Sequence, residues 1–383
     1  MGFSVRVDRH LASLNIPEWD AVQPDGGFYS SSPWLRHAER TADPAPFYFT
    51  AADTAGADAG RLRATMPAYA LTRDAPFVFC RADHVIDDIS RTAAGRPAEW
   101  AGALMPCLAC GPRHPSHSGA AFARDLGPDD RLKAATALVA RAEEVAAENA
   151  LASVTFLYVD ATDDMFRTVL EKGGYTALHC ATTYMLPVPQ PGTFTDYIAA
   201  LPTKTRRRRV ARDVRALDGA GVTYRVRPLT EELAGRLAPL EAQLYARYGT
   251  PGDEAALLGV LRSVARNVPD HAEVVTAELG GRLAGFVLIF ADGHDLYARQ
   301  AGFDYAVKGR LPLYFGLVYY QLVRLAQARG LAAIHYSIGA DEVKESRGCT
   351  GVEQIAYVKS LDPRDPSARR GVAELAELSP PRG

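Results

Sequence analysis

The sequence predicts an α/β protein built from two similar lobes. The chain has 383 residues, more than one hydrophobic core usually covers, so two domains are expected. Helix-like and strand-like stretches alternate along the chain. The order helix, strand, helix, strand occurs in the first half and again in the second, at matching points about 175 to 180 residues apart. We interpret this as an internal duplication with lobes at 1–190 and 191–383.

The first lobe begins with short strands and ends in regular alternation. SVRV near the N-terminus predicts a strand, and the serines at 30–32 before Pro33 predict the start of a helix. Apolar runs bounded by Gly, Asp and Pro predict strands at 47–50, 64–71 and 77–80. The rest of the lobe is predicted as a helix over 129–151, the strand SVTFLYVD, a helix over 164–172 and a strand over 182–187.

The second lobe follows the segment LPVPQPGTF, whose prolines and glycine are typical of a linker. Its opening carries a short helix, a basic helix and a strand after a glycine turn. Later come a helix over 313–329, the strand AAIHYSI, a charged segment ending at Arg347 and the strand EQIAYVKS. This second series repeats the order at the end of the first lobe.

Composition excludes several classes of protein. The formal net charge of -2 argues against a surface that attracts nucleic acid everywhere, so any basic patch is local and we expect no DNA partner. The N-terminus lacks a signal-peptide core, and no apolar run is long enough to span a bilayer. Five cysteines, an odd number, do not make a disulfide framework. These features predict a cytoplasmic protein without membrane insertion.

Four blocks of the second lobe resemble the FemAB-like branch of the GNAT (acetyltransferase-like) superfamily. In order they are FTDYIAALPTKTRRRRVARDVRALDGAGVTYRV, GGRLAGFVLIFADGHDLYARQAGFD, LYFGLVYYQLVRLAQARGL and YSIGADEVKESRGC. The first lobe is similar more loosely, through LMPCLACGPR and YVDATDDMFRTVLEKGGY. The resemblance implies two tandem GNAT-like lobes with mixed, mostly antiparallel sheets, flanked by helices and packed around a shared cleft. It also implies an acyl-group transferase that forms an amide bond.

Our prediction of the donor substrate depends on a phosphate-binding motif that the sequence lacks. GNAT enzymes that bind acyl-CoA usually carry a glycine-rich loop whose backbone N–H groups hold the pyrophosphate. The nearest candidate here is Lys308-Gly309-Arg310, which is not that motif. Related Fem-type transferases use aminoacyl-tRNA, so the resemblance favours tRNA as partner and donor, a small-molecule or peptide amine as acceptor, and no further cofactor. Acyl-CoA as donor, and a non-catalytic recognition or scaffold protein, remain the alternatives.

The densest positive charge lies in the predicted basic helix. Val210, Val214 and Leu217 share one face of it, which leaves most of the arginines on the other. Guanidinium groups match phosphate oxygens, so this surface is predicted to bind tRNA or another phosphorylated donor. The alternative is a solvated basic face. The candidates are Lys204, Arg206, Arg207, Arg208, Arg209 and Arg212, followed by Arg215, with Lys308 and Arg310 as further phosphate ligands.

The charged segment after the strand AAIHYSI matches a family signature, and the resemblance implies that it lies at the cleft. Glu342 is then a candidate proton acceptor, as a buried carboxylate beside two cations, and Lys344 could stabilise an oxyanion. Arg347 is a candidate substrate ligand. The alternative is a loop held by internal ion pairs.

Polar residues in the strand LYARQAGFD form the last candidate group. Alternation places Tyr297 and Arg299 on one face, where they could meet a substrate or an internal partner. Tyr297 is taken as a catalytic candidate, and Arg299 and Gln300 as substrate ligands. Tyr319 and His335 are further substrate candidates, although residues in such positions are more often part of the core.

A metal site is not expected. Cys107, Cys110, His114 and His117 superficially resemble zinc ligands. Only three residues separate Cys110 from His114, whereas common structural zinc sites have about twelve or more residues in that gap.

Overall fold

The chain divides into two compact units. A computed structural model describes residues 2–24, 27–41, 46–56, 59–114, 117–249, 252–362 and 366–381. Unit 1 contains residues 1–183 and 352–383, and unit 2 contains residues 184–351. These units are defined by spatial contacts and not by sequence duplication. The boundary of the duplicated lobes near residue 190 therefore stays a prediction.

The strands, numbered in chain order, are β1 (Phe3–Asp8), β2 (Phe47–Asp53), β3 (Leu62–Leu71), β4 (Cys107–Cys110), β5 (Ala121–Phe122), β6 (Ser153–Asp160), β7 (Thr176–Pro187), β8 (Thr223–Pro228), β9 (Ala272–Leu279), β10 (Arg282–Asp292), β11 (Asp295–Phe303), β12 (Ala333–Ile338) and β13 (Thr350–Ser360).

The helices are α1 (Ile16–Ala21), α2 (Ser32–Thr41), α3 (Ala82–Ala94), α4 (Pro128–Glu148), α5 (Asp164–Lys172), α6 (Phe194–Ala200), α7 (Lys204–Gly219), α8 (Glu231–Arg247), α9 (Glu254–Asn267), α10 (Tyr305–Lys308), α11 (Leu313–Phe315), α12 (Gln321–Arg329), α13 (Asp341–Glu345) and α14 (Pro366–Leu378). Short 3-10 turns lie at Leu11–Ser13, Phe28–Ser30, Val78–Cys80 and Glu99–Leu104.

Unit 1 has a mixed sheet covered by helices. Its strands follow the order β1-β2-β3-β4-β6-β13, with β5 beside β3. The pairs β1/β2, β2/β3, β3/β4 and β6/β13 are antiparallel, and β4/β6 is parallel. Helix α4 buries a stripe that includes Leu138 and Ala142 in the same core as Phe156 of β6. Pro128 in its first turn is preset for a helix start, which explains where α4 begins.

Unit 2 repeats this arrangement. Its strand order is β12-β11-β10-β9-β8, with β11/β12 parallel and the other pairs antiparallel. Helix α7 begins at the N-cap Thr203, whose hydroxyl accepts a hydrogen bond from the backbone N–H of Arg206. The core contains Val210 and Leu217 of α7 together with Ile334 of β12. The predicted α/β class with mixed, mostly antiparallel sheets flanked by helices is confirmed.

The predicted helix over 313–329 contains an irregular turn. α11 and α12 are joined by a π-helical turn, Gly316–Tyr320. Gly316 lies so close to α7 that an added Cβ would be 2.5 Å from Leu217 Cδ1. Glycine is therefore needed where α7 packs on this turn, and π turns are frequent at functional sites.

One predicted strand is wrong. Residues 77–80 contain the 3-10 turn Val78–Cys80, in which the N–H of Arg81 donates to the carbonyl of Val78. These backbone groups are satisfied locally, so the short apolar run needs no neighbouring strand. Among the helices that the structure describes, none is long and apolar enough to cross a lipid bilayer.

Candidate functional site

The centre of unit 2 is the junction where β11 and β12 run side by side. They pair in parallel through three register positions, of which Tyr297 opposite His335 is the last. β11 continues to Phe303 and β12 to Ile338 without further register partners between them. Residues of β11 beyond Tyr297 therefore lie on a strand edge that β12 does not cover.

A β-bulge reshapes this part of β11. Leu288 of β10 faces Gln300, while the next residue, Ile289, faces Ala298, so Arg299 is the extra residue of the bulge. A bulge changes the direction of the side chains beside it and often occurs next to active sites. The strict alternation that the sequence analysis used for Tyr297 and Arg299 is therefore interrupted between them.

Tyr297 and His335 are brought together as neighbours across the parallel pair. Their rings are stacked, with centroids 4.6 Å apart, and Tyr297 is only 2% exposed. The ring Nε2 of His335 lies 3.1 Å from a carboxylate oxygen of the buried Asp295, also on β11. Asp295 thus orients the imidazole, and the three side chains form one polar group at the start of the junction.

Glu241 on α8 is a buried carboxylate that the sequence did not mark as a candidate. Its Oε1 accepts a hydrogen bond of 2.9 Å from the side-chain amide of Gln300, and Glu241 is 2% exposed. Burial raises the pKa of this carboxyl to about 7, although Gln300 and Arg299 favour the charged form. A signal was present in the sequence, because Ala234, Ala238 and Glu241 fall on one helical face.

Lys344 is buried and donates hydrogen bonds to backbone carbonyls of β12. Its ammonium donates hydrogen bonds of 2.7 Å to the carbonyls of Ser337 and Ile338, and it is 5% exposed. Ser337 and Ala340 have positive φ angles of 57° and 55°, which is a strained turn for residues with a side chain. Burial lowers the pKa of Lys344 to about 8. Lys344 therefore holds the turn after β12 and is a group that can release a proton near neutral pH.

Arg347 is enclosed and not available to a substrate. It is 1% exposed, and its guanidinium lies 3.4 Å from Asp213 of α7 and stacks 3.8 Å above the ring of Phe315. Asp213 also accepts a hydrogen bond of 2.9 Å from the hydroxyl of Tyr320. This pairing matches the alternative reading of Arg347, as an internal ion pair that fixes α7 against the π-helical turn.

Glu342 and Tyr319 lie in opposite environments. Glu342 is exposed on α13, so the buried carboxylate that the sequence predicts at this position is not buried. The buried residue of this five-residue helix is Lys344, and Glu342 is on its exposed side. Tyr319 is completely buried and stacks on Tyr336 with ring centroids 4.8 Å apart, as expected of a core residue.

The arginine surface is the exposed side of α7. Val210 and Leu217 are buried and Val214 is partly buried, as the sequence predicts. Within the part of the chain that the structure describes, no carboxylate forms an ion pair with the residues of this surface. A shallow concavity is lined by Thr205, Arg208, Arg209, Ala211, Arg212 and Arg215. Lys204 is also exposed, and Arg206 and Arg207 are half-buried.

The second phosphate candidate is partly occupied by its own chain. The ammonium of Lys308 donates a hydrogen bond of 3.1 Å to the carbonyl of Leu311 and lies 5.6 Å from the ring centroid of Tyr305. Burial, and then the charge of Arg247, lower the pKa of Lys308. Arg310 is exposed.

The cysteine and histidine group of unit 1 has structural partners. Cys107 and Cys110 are buried in β4, and burial raises the pKa of both thiols. His114 stacks on Tyr29 at 3.6 Å between ring centroids, and His117 lies 3.5 Å from Asp160. Among the residues that the structure describes, no group of three or more Cys, His, Asp or Glu side chains is arranged to hold a metal ion.

Unit 1 contains a junction like that of unit 2, and it is filled. β4 and β6 pair in parallel through three positions, ending at Ala109 opposite Thr155. Farther along β6, the backbone N–H of Ser118 donates to the carbonyl of Tyr158, and the Ser118 hydroxyl accepts from the Tyr158 N–H at 3.2 Å. Ser118 therefore lies beside β6, three residues beyond the last position that pairs with β4; at the corresponding place in β12, Lys344 donates to the carbonyl of Ile338.

The FemAB-like family, described as peptidoglycan biosynthesis/recognition, matches this chain over residues 11–368. The sequence matches no curated protein.

Solved structures show the same fold at low identity. The crystal structure of FemX is 12% identical with a TM-score of 0.63, and the alignment covers 97% of this chain and 99% of FemX. A tandem GNAT protein from the clavulanic acid biosynthesis pathway is 11% identical with a TM-score of 0.55, covering 95% and 100%. A conserved protein of unknown function from Bacteroides thetaiotaomicron is 11% identical with a TM-score of 0.52, covering 94% and 100%. At these identities the likeness shows the fold alone.

Proposed function

The chain belongs to the FemAB-like family, described as peptidoglycan biosynthesis/recognition, and from this premise we propose that it is an acyl-group transferase that forms an amide bond. The acyl group is an aminoacyl group carried by tRNA, and the acceptor is the amine of a small molecule or of a cell-wall precursor peptide. The reaction takes place in the cytoplasm, where aminoacyl-tRNA is available.

The arginine surface of α7 is the observation that carries the choice of donor. Its side chains project from one face of a helix whose other face is anchored by Val210, Asp213 and Leu217. Long basic side chains without described carboxylate partners suit a phosphate backbone, since each contact releases a counterion. An acyl-CoA would require fewer phosphate contacts than this surface offers. We therefore rank aminoacyl-tRNA first.

The chemistry requires little of the protein. The acceptor nitrogen attacks the ester carbonyl carbon, a C–N bond forms, and the bond to the ribose oxygen breaks. An α-amine with a pKa near 8 is already partly neutral at pH 7, so orientation and removal of one proton are the main contributions. The polar group of Tyr297, His335 and Asp295 lies within the paired part of β11 and β12, next to the strand edge that begins after Tyr297.

Acyl-CoA is the second candidate donor, and one observation favours it. The parallel strands β11 and β12 stop pairing after three positions, and the Lys308-Gly309-Arg310 segment follows β11 before the helix that begins at Leu313. Backbone N–H groups at a helix start are suited to pyrophosphate. In this alternative Arg310 would contact the pyrophosphate.

Direct binding measurements separate the two donors. Purified protein is titrated with bulk aminoacylated tRNA and, in parallel, with acetyl-CoA, at 50 and 200 mM NaCl. Salt-sensitive binding of tRNA without a CoA signal is the expected result. Saturable binding of CoA with none of tRNA would overturn the choice of donor and leave acyl transfer in place. A non-catalytic recognition protein would give neither amide product nor loss of aminoacyl ester.

A further inference from the structure

Among the described residues of unit 2, two buried carboxylate or amide oxygens lack hydrogen-bond donors. They are Oε2 of Glu241 on α8 and Oε1 of Gln300 on β11, and neither has a hydrogen-bond partner among the described residues. The two side chains are themselves joined by the bond from the Gln300 amide to Oε1 of Glu241. A buried acceptor without a donor costs about 1–3 kcal/mol. Two such atoms on linked side chains therefore point to a donor group that comes from outside the chain.

The backbone around this pair is built to hold it in place. A Cβ added at Gly302 would lie 2.4 Å from the backbone nitrogen of Glu241 and 2.5 Å from the carbonyl carbon of Leu240. No side chain fits there, so β11 lies directly against α8. Gln300, two residues earlier, is on the part of β11 beyond its last register partner in β12 and is only partly buried. Of the two side chains, Gln300 is the more exposed and Glu241 the more buried.

The charged and titratable groups around Glu241 come from two elements. Arg299 on β11 favours the ionised carboxylate, and Tyr245, one turn along α8, has its pKa raised by burial and then by the charge of Glu241. Burial outweighs Arg299, which leaves the carboxyl close to the midpoint of its titration at neutral pH. A group in that state can both accept a proton and return it.

We propose that Glu241 and Gln300 form the receptor for the primary amine of the acceptor substrate, an assignment that rests on the proposed amide-forming function. The amine donates its N–H groups to Oε2 of Glu241 and Oε1 of Gln300. As the C–N bond forms and the ester C–O bond breaks, the carboxylate of Glu241 takes the proton that the nitrogen loses. The departing ribose oxygen takes a proton from solvent, and Glu241 returns its own proton to solvent, so the step balances.

The first test reads amine binding without any acyl donor. Protein labelled with 13C at the glutamate carboxyl carbon is titrated from pH 5 to 9 by NMR, and the resonance of Glu241 is assigned with Glu241→Gln or, should that variant not fold, with Glu241→Asp. The probe is 200 mM methylammonium chloride, which carries three N–H donors. The control is 200 mM tetramethylammonium chloride, which has the same charge and none.

The expected result is that methylammonium lowers the apparent pKa of Glu241 by about one unit, a tenfold change in proton affinity, because the ammonium favours the ionised carboxylate. Tetramethylammonium should leave it unchanged. Equal shifts with both salts, or no shift with either, would overturn the amine receptor. These NMR results test the amine receptor alone. The proposed function is tested separately, by measuring amide formation with charged tRNA.

The second test uses turnover once a donor and an amine are in hand. In Glu241→Gln, kcat/KM for the amine should no longer rise with pH around pH 7, and its value should fall at least tenfold. The KM for the acyl donor should stay the same. The matched control is Glu232→Gln, which changes an exposed glutamate of the same helix. A pH profile of Glu241→Gln that superimposes on wild type would contradict a role in proton transfer.

Discussion

The two parallel junctions of this protein begin alike and end differently. In unit 1, β4 and β6 pair through three positions and Ser118 then takes a place beside β6. In unit 2, β11 and β12 pair through three positions and then leave β11 with a bulge at Arg299 and the buried pair of Glu241 and Gln300. In both units the chain itself satisfies backbone groups beyond the last paired position, through Ser118 in unit 1 and through Lys344 in unit 2. Unit 2 differs in placing a carboxylate and an amide oxygen without described donors beside β11. The pair of Glu241 and Gln300 is the feature on which we base the proposal that unit 2 carries the chemistry.

The largest expected effect concerns the framework of unit 2. Replacing Arg347 with Met should lower the free energy of unfolding by about 3–5 kcal/mol, because Asp213 would stay buried without its cation. Urea unfolding monitored by circular dichroism measures this change. Arg310→Met, at an exposed arginine, is the matched control and should change stability by less than about 0.5 kcal/mol. A stable R347M protein would show that the enclosed ion pair does not hold α7.

Glu241 should make stability depend on pH in a characteristic direction. Its folded-state pKa of about 7 is above the ordinary value of 4.5, so between these values the folded protein holds a proton that the unfolded chain has released. Stability should therefore fall as pH rises from 4.5 to 7, by on the order of 3 kcal/mol from this group. Glu241→Gln should remove that slope in urea unfolding at several pH values. An unchanged slope would mean that the carboxyl is not perturbed.

The position of Ser118 beside β6 can be tested at Gly111, which packs against it. Its φ of 104° and a distance of 2.8 Å from an added Cβ to the Cα of Ser118 both require glycine. Gly111→Ala should destabilise by about 2 kcal/mol more than Gly56→Ala, which has a similar φ of 93° and open space around it. Thermal unfolding compares the two variants. Equal losses would show that the contact with Ser118 is not tight.

The smallest expected effect is on the arginine surface. Arg208→Ala should weaken tRNA binding a few-fold and lower the slope of log K against log salt by about 0.7–0.9, which corresponds to one phosphate contact. Arg215→Ala, near the other end of the same concavity, tests how far the contact extends. Filter binding at four salt concentrations gives both slopes. Unchanged slopes for both variants would show that this surface is solvated and does not contact tRNA phosphates.

Local sequence patterns predicted much of the fold. The order helix, strand, helix, strand in each half, the basic helix with its buried apolar face and the mixed sheets are confirmed, because periodicity and turn residues report on burial within one element. The 77–80 strand was wrong, since a four-residue apolar run fits a 3-10 turn equally well. Tyr297 and His335 were both candidates, but their stacking depends on a strand register that the sequence does not reveal.

The parts of the site that sequence missed depend on distant partners. Arg347 pairs with Asp213, 134 residues away, so its burial could not be read from the charged segment around it. Glu241 is hydrogen-bonded to Gln300, 59 residues away, and its position on an apolar helical face was the one local sign of its burial. Glu342 looked equally suitable in sequence and lies on the surface.

The most direct test of this account is transfer itself. Wild-type protein is mixed with tRNA charged with 14C-labelled amino acids and a muropeptide acceptor, and the label is followed from tRNA into an acid-stable amide. We expect labelled amide from wild type, at least tenfold less from Glu241→Gln, and undiminished product from Glu232→Gln. Two results together would contradict aminoacyl transfer. The charged tRNA would lose its label no faster with protein than without it, for every amino acid, and the same acceptor would be acetylated from acetyl-CoA.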